Sequence, residues 1–280
     1  MDAKRLALTA NEQQATGAGR GPLRRTWAKA AIAALSVAIL HVCAYLLVYQ
    51  VVHMALDKPA YPPLGSILRA ATGDAATQMG KHFPVTLQRW ALLFVAGCIV
   101  GIGSGVLIGY SRRLHRWFFP DVDFLRSLPA TAMTFFVLAA FGDGYIARNI
   151  PAFYITVFTV MFLVVRHTKK LKRTRENHLR DLGATRWFII FHCVLYELLS
   201  PIMIGVRQAI SLSFLVFVSV ELIVGPLGNE GLGKIIYEWE QRTDYACLLV
   251  VLAFLGVWGY GLNVLVEYAH RLLVPWEREH

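Results

Sequence analysis

RHTKKLKRTRENHLRDLGATRWFIIFHCVLYELLS, residues 166–200, starts densely charged and ends apolar, with Gly183 and Ala184 at the break. This stretch decides how many times the chain crosses a membrane. If 187–199 and 201–224 both crossed, the chain would emerge on the wrong side for its basic C-terminal end. Short helices with one apolar and one basic face instead lie along a membrane interface. The sequence therefore predicts a pair of such helices over 176–199 on the cytoplasmic side, hinged at Gly183, with Pro201 opening the next span.

Outward from that segment the chain is apolar. Of its 280 residues 56% are hydrophobic and 16% charged, with a mean hydropathy of +0.49. Soluble chains carry roughly a quarter charged residues. The apolar runs fall at 27–52, 85–110, 124–141, 150–165, 201–224 and 246–269, and crossing about 30 Å of hydrocarbon takes roughly 20 helical residues. The expectation is an all-α polytopic membrane protein of six transmembrane helices. The net charge of +10 is spread over alternate connections: a tail with Lys4, Arg5, Arg20, Arg24, Arg25 and Lys29, a short loop with Arg112, Arg113, Arg116 and Arg126, the central loop, and Arg271 and Arg278. Positive loops mark the cytoplasmic face, so both termini are expected inside, in a multi-pass inner (plasma) membrane protein. A nucleic-acid partner would need these charges on one patch and is not expected. Residues 1–24 are expected to be a mobile cytoplasmic tail, 25–53 to hold the first span, and 54–84 to be an outside loop with an amphipathic stretch leading to the second. The leading tail and the long apolar run argue against a cleaved signal peptide.

Within the spans, Gly97, Gly101, Gly105 and Gly109 recur every fourth residue and strip one helical face, so that a neighbouring helix can approach closely. Pro129 suits a first helical turn or a break surrounded by protein. Arg207 and Glu221 lie in or at the edge of the fifth span, where a charge is costly and often functional; structural and transport roles both remain open for them. Gly228-Asn229-Glu230-Gly231-Leu232-Gly233-Lys234 has P-loop spacing, but Ile235 stands where a Ser or Thr must hold magnesium. Cys43, Cys98, Cys193 and Cys247 are scattered through apolar segments and read as small buried hydrophobes. His167, His178 and His192 do not pair on one helical face with a carboxylate. No catalytic residue and no metal site are expected.

From about Pro63 to Trp276 these residues carry a family resemblance. Thr86-Leu87-Gln88-Arg89 precedes the glycine-rich span ending Gly109-Tyr110-Ser111; Leu125-Arg126-Ser127-Leu128-Pro129, Phe141-Gly142-Asp143-Gly144 and Leu182-Gly183-Ala184-Thr185 follow. Then come Pro201-Ile202-Met203-Ile204-Gly205-Val206-Arg207, and Glu221 with Gly231-Leu232-Gly233 after it. In this order and spacing the chain resembles the inner-membrane permeases of type I ABC importers, most closely the nitrate/sulfonate/taurine/bicarbonate branch. It departs at Asn177, His178 and Leu179, where the family has Glu-Ala-Ala and Glu176 is one place out of register. It departs again at Leu195-Tyr196, where the family has Leu-Pro.

The resemblance implies the type I permease fold, with a core over 85–276 and a coupling loop at 166–199. It implies a transporter subunit, without an ATPase of its own, that moves a small solute such as a sulfonate, nitrate or related organic anion delivered by an extracytoplasmic binding protein. The chain would bind no cofactor, ATP and Mg being held by ATPase subunits seated against Glu176, Asn177, His178, Arg180, Asp181, Gly183, Ala184 and Arg186. The remaining partners implied are membrane lipid and a second permease copy, a homodimer ahead of a heterodimer. Pro129, Arg207, Ser211, Ser213 and Glu221 are the pathway or gating candidates. The alternative is a scaffold or channel whose basic loop docks a partner that is not an ATPase. A sharp turn at Gly183 requires φ > 0 there.

Overall fold

The computed structural model describes residues 36, 40, 41, 43–56, 58–142, 145–168, 173–224 and 230–275, and their side chains except at 145–147, 173–176 and 186. The expected tail 1–24, Asp143 and Gly144 of the tight turn, and Gly228 and Asn229 lie outside the described residues, as do the side chains of Glu176 and Arg186. Two compact units are distinguished, 1–64 and 65–280. In the first, α1 (Cys43–Leu56) is followed by a turn fixed by its own side chains. The Tyr49 hydroxyl donates to Pro62 O at 2.7 Å, and His53 Nδ1 lies 2.6 Å from Tyr61 O.

The rest is helical, with no strand among the described residues: α2 (Leu64–Thr72), α3 (Asp74–Tyr110), α4 (Arg112–Ser127), α5 (Ala130–Phe141), α6 (Tyr145–Thr168) and α7 (Arg173–Asp181). After a turn come α8 (Arg186–Ile189), a π-helical turn (Ile190–Val194) and a short α turn (Leu195–Glu197), then α9 (Leu199–Val224), α10 (Leu232–Gln241) and α11 (Tyr245–Leu273). Among the described residues, four helices are long and apolar enough to cross a membrane, Asp74–Tyr110, Arg148–Thr168, Leu199–Val224 and Tyr245–Leu273, and five if α4 and α5 count as one broken span.

Helix α6 sits at the centre, flanked by α3, α9, α5 and α4. Its middle is apolar on every side, as a surrounded helix must be, and two of its three buried threonine hydroxyls turn back onto their own helix: Thr156 donates to Ala152 O at 2.8 Å and Thr168 to Val164 O at 2.6 Å, while the Thr159 hydroxyl makes no hydrogen bond. The glycine stripe of α3 lies against it. A Cβ at Gly97, Gly101, Gly105 or Gly109 would stand 2.8, 2.8, 2.8 or 2.6 Å from Thr156, Val157, Val164 or Thr168 respectively. Opposite the stripe, Leu92, Ile99 and Leu107 are exposed, an apolar face suited to lipid. Between α3 and α9, Trp90 stacks on Phe94, meets Phe214 edge-on and donates its indole N–H to Ser213 Oγ at 3.0 Å.

The structure corrects two expected boundaries. The run 124–141 is not one straight span: the chain bends by 95° between α4 and α5, with Leu128 extended and Pro129 capping α5 at φ −68°. Helix α5 has 12 residues, about 18 Å, too short to cross alone. Helix α4 is amphipathic, and Arg126 lies over the Phe162 ring at 4.1 Å and 3.5 Å from Asp123. Nor does an element boundary fall at residue 84, because α3 starts at Asp74 and runs through Pro84. Beside Pro84, which cannot donate a backbone hydrogen bond, Phe83 packs edge-on against Phe254 and Trp258.

Candidate functional site

Three places gather the functional candidates. At one end of the bundle, the loop end, α7 finishes in a Schellman motif. Ala184 N–H donates to Leu179 O at 2.9 Å and Gly183 N–H to Arg180 O at 2.8 Å. Such a cap needs a left-handed residue after the helix, and Gly183 supplies it with φ +84°. The next helix starts at once: Thr185 Oγ1 accepts from Phe188 N–H at 3.3 Å, an N-cap bond. Leu-Gly-Ala-Thr is thus one stop and one start, with no slack between. The inner side of the loop is apolar. Leu179, Ala184, Ile189, Val194 and Leu198 pack with Val160 and Val164 of α6 and with Ile102, Val106 and Tyr110 of α3, and Arg180 donates to the Tyr110 hydroxyl at 3.1 Å. On the outer side Asn177, His178, Asp181 and Gly183 are exposed, and Leu182, 83% exposed, stands at the tip; Trp187, Phe188, Phe191 and Tyr196 follow.

At the opposite end of α3 and α9, Glu221 is held in a clasp. Its Oε2 accepts from the Thr86 hydroxyl at 2.8 Å and from Gly233 N–H at 3.2 Å, while Thr86 Oγ1 accepts from Leu232 N–H at 2.8 Å and His82 Nδ1 from Gly231 N–H at 3.1 Å. The first backbone donors of α10, which no helix can satisfy internally, are therefore spent on side chains of α3 and α9. The two glycines are sterically required. A Cβ on Gly231 would stand 2.6 Å from Glu221 Oε1, and one on Gly233 2.2 Å from the Glu221 carbonyl carbon. Within the P-loop-like segment, the Gly233 N–H is thus taken by the chain's own Glu221 side chain.

The third place is a groove between α9 and α11. Ser211 Oγ and the Asn263 side chain exchange hydrogen bonds at 2.8–3.0 Å, Arg207 pairs with Glu267 Oε2, and Arg271 Nε donates to Glu267 Oε1 at 3.1 Å. Ile204, Gln208 and Leu212 continue the exposed face of α9. Of the pathway candidates, Arg207 and Ser211 share this groove, whereas Ser213 is 1% exposed and its Oγ accepts from the Trp90 indole N–H. Pro129 stands at the α4–α5 corner and Glu221 in the clasp. Asn263, Glu267 and Arg271 were not among the predicted residues, although their i, i+4 spacing in the sixth span was a legible signal. Among the described residues no three His, Cys, Asp or Glu side chains are grouped to hold a metal.

A family model described as "Binding-protein-dependent transport system inner membrane component" matches residues 97–279. Among curated proteins, the chain is 24% identical over 207 residues to the nitrate import permease protein NrtB of Synechocystis sp., covering 74% of each chain. It is 25% identical over 189 residues to the bicarbonate transport system permease protein CmpB of Synechococcus elongatus, covering 68% of this chain and 67% of that one. With the taurine transport system permease protein TauC of Escherichia coli identity is 23% over 239 residues, covering 82% and 86%. A chain of the MetNI methionine ABC transporter, solved in inward-facing conformations, superposes with a TM-score of 0.55 at 21% identity over 67% of this chain and 92% of that one, a likeness of fold.

Proposed function

The chain belongs to the inner-membrane components of binding-protein-dependent transport systems, and from that premise we propose that it is the permease of an ATP-driven importer of a small anion. It works as a dimer, a homodimer ahead of a heterodimer, with both termini and the α7–α8 loop in the cytoplasm and lipid around α3 and α11. ATP and Mg belong to the partner ATPase, and this chain supplies no ATPase of its own.

The observation that carries this is the shape of the loop. Two helices are joined without slack at Gly183, their inner side anchored on α6 and α3 and their tip, Leu182, exposed. A stiff lever seated in an ATPase cleft passes movement to α6 and α9, whereas a floppy loop would absorb it. Asn177 and His178 stand where the family has acidic and small residues, so the Arg180 and Asp181 side chains and Leu182 carry most of the contact here. Nitrate, bicarbonate and taurine, named for the relatives, support a small solute that carries an oxyanion group.

The test is solute uptake into vesicles containing the permease, its ATPase and its binding protein. ATP-dependent accumulation of a small anion is expected. Flux of equal size without ATP would favour a channel and overturn the proposal.

A further inference from the structure

The α9–α11 groove has a directional order. Ser211 lies 12 residues from the start of α9 at Leu199, about 18 Å along the helix, and so near the middle of a membrane about 30 Å thick. Its partner Asn263 begins a column on α11, Asn263, Glu267 and Arg271, in which each side chain stands one helical turn nearer the loop end. Arg207 on α9 meets the middle rung. The rungs are thus an amide–hydroxyl pair at mid-depth, an arginine–glutamate pair below it, and a second arginine below that.

This column is not sealed. Arg207, Glu267 and Arg271 have 50%, 29% and 64% of their side chains exposed, around a groove of about 430 Å³ also lined by Tyr260 and Tyr268. Charged and amide groups inside a span are too costly to face hydrocarbon and mark water-filled paths or protein contacts. Two guanidiniums share one carboxylate, so these three groove side chains sum to one positive charge, which attracts a small anion. Guanidinium forks match planar or tetrahedral oxyanions bidentately.

We infer that Arg207, Arg271 and Asn263 form an oxyanion site on the loop-end half of the permease, with Glu267 holding the two guanidiniums in place until an anion takes over part of its bonding. The inference deepens the proposed import of a small anion and rests on it for the direction of flow. The same chemistry would accept a free carboxylate, sulfonate or nitrate, or the phosphate of an anionic lipid.

The test is residue-resolved arginine modification by phenylglyoxal, read by mass spectrometry on the assembled transporter in phosphatidylcholine nanodiscs. Nitrate or methanesulfonate, against gluconate, is expected to slow modification of Arg207 and Arg271 several-fold while leaving the exposed Arg112 and Arg113 unchanged. Glu267→Gln is expected to lower the half-protecting concentration several-fold, because the carboxylate no longer competes. Protection by phosphatidylglycerol without added oxyanion would support the site with lipid as its occupant. Equal modification with and without oxyanion, or no modification of Arg207 at all because a second copy covers it, would overturn the inference. Vesicle uptake fails independently: intact uptake without protection sinks the site alone, and protection without uptake sinks the import proposal alone.

Discussion

Gly183 makes the turn between α7 and α8. Its φ of +84° leaves open space around a Cβ, so a substitution there is resisted by backbone strain and not by crowding. A left-handed β-branched residue costs about 1–2 kcal/mol, enough to unwind the Schellman cap without unfolding the bundle. Gly183→Val is therefore expected to abolish ATP-driven uptake while the amount of inserted protein stays unchanged by immunoblot, and Gly183→Asn, which tolerates this region, should keep most of the uptake. Wild-type uptake by the valine variant would remove the hinge. The clasp makes a complementary prediction. Gly233→Ala drives a methyl into the Glu221 backbone and should cost about 1–3 kcal/mol; Gly256→Ala, with nothing near its Cβ, should be neutral or slightly stabilising in thermal unfolding of the purified protein. In the sequence the glycine hinge was legible because glycine is the usual residue at such a turn. The Thr185 cap, though of a recognisable type, was missed, and the Glu221 clasp was visible only as spaced motifs, since nothing local says that residues 82, 86, 221 and 231–233 meet.

Among the elements, the glycine face of α3 was readable as a period and the structure shows where it points, onto α6. Gly101→Leu is expected to push α3 off Val157 and Val160 and to lower the yield of folded protein sharply by gel filtration, while Gly103→Ala on the open face should leave it unchanged. Equal yields from both would mean that close approach of α3 and α6 does not hold the bundle together. Where sequence reading went astray, hydropathy was the cause. The run 124–141 is continuously apolar, so the 95° corner at Leu128-Pro129 left only the proline as its trace, and the start of α3 at Asp74 was concealed by Pro84. The π-helical turn at Ile190–Val194 left no trace at all, because its residues are the same apolar ones that an α-helix would carry.

At the scale of the whole molecule, the two ends of α9 are held by different contacts. At the far end Glu221 ties α9 to α3 and α10 through partly buried hydrogen bonds; at the loop end α9 continues from the α8 segment, with Leu198 buried beside Val160 and Val164. A push on the lever is thus expected to move the loop ends of α6 and α9 more than their far ends. Breaking the clasp with Glu221→Ala strands the Thr86 hydroxyl and the Gly233 N–H, at about 1–3 kcal/mol for each buried group left unpaired, and should uncouple ATP hydrolysis from uptake, raising the ATP hydrolysed per solute imported; an unchanged ratio would show that the far end need not be fixed. The most direct measurement of the account is at Leu182, the exposed tip. With Leu182→Cys in the assembled transporter, a thiol cross-linker should join the loop to the ATPase subunit, with a yield that changes on adding ATP. A fully active transporter that gives no such cross-link, or whose residue 182 is labelled only from outside the cell, would contradict it.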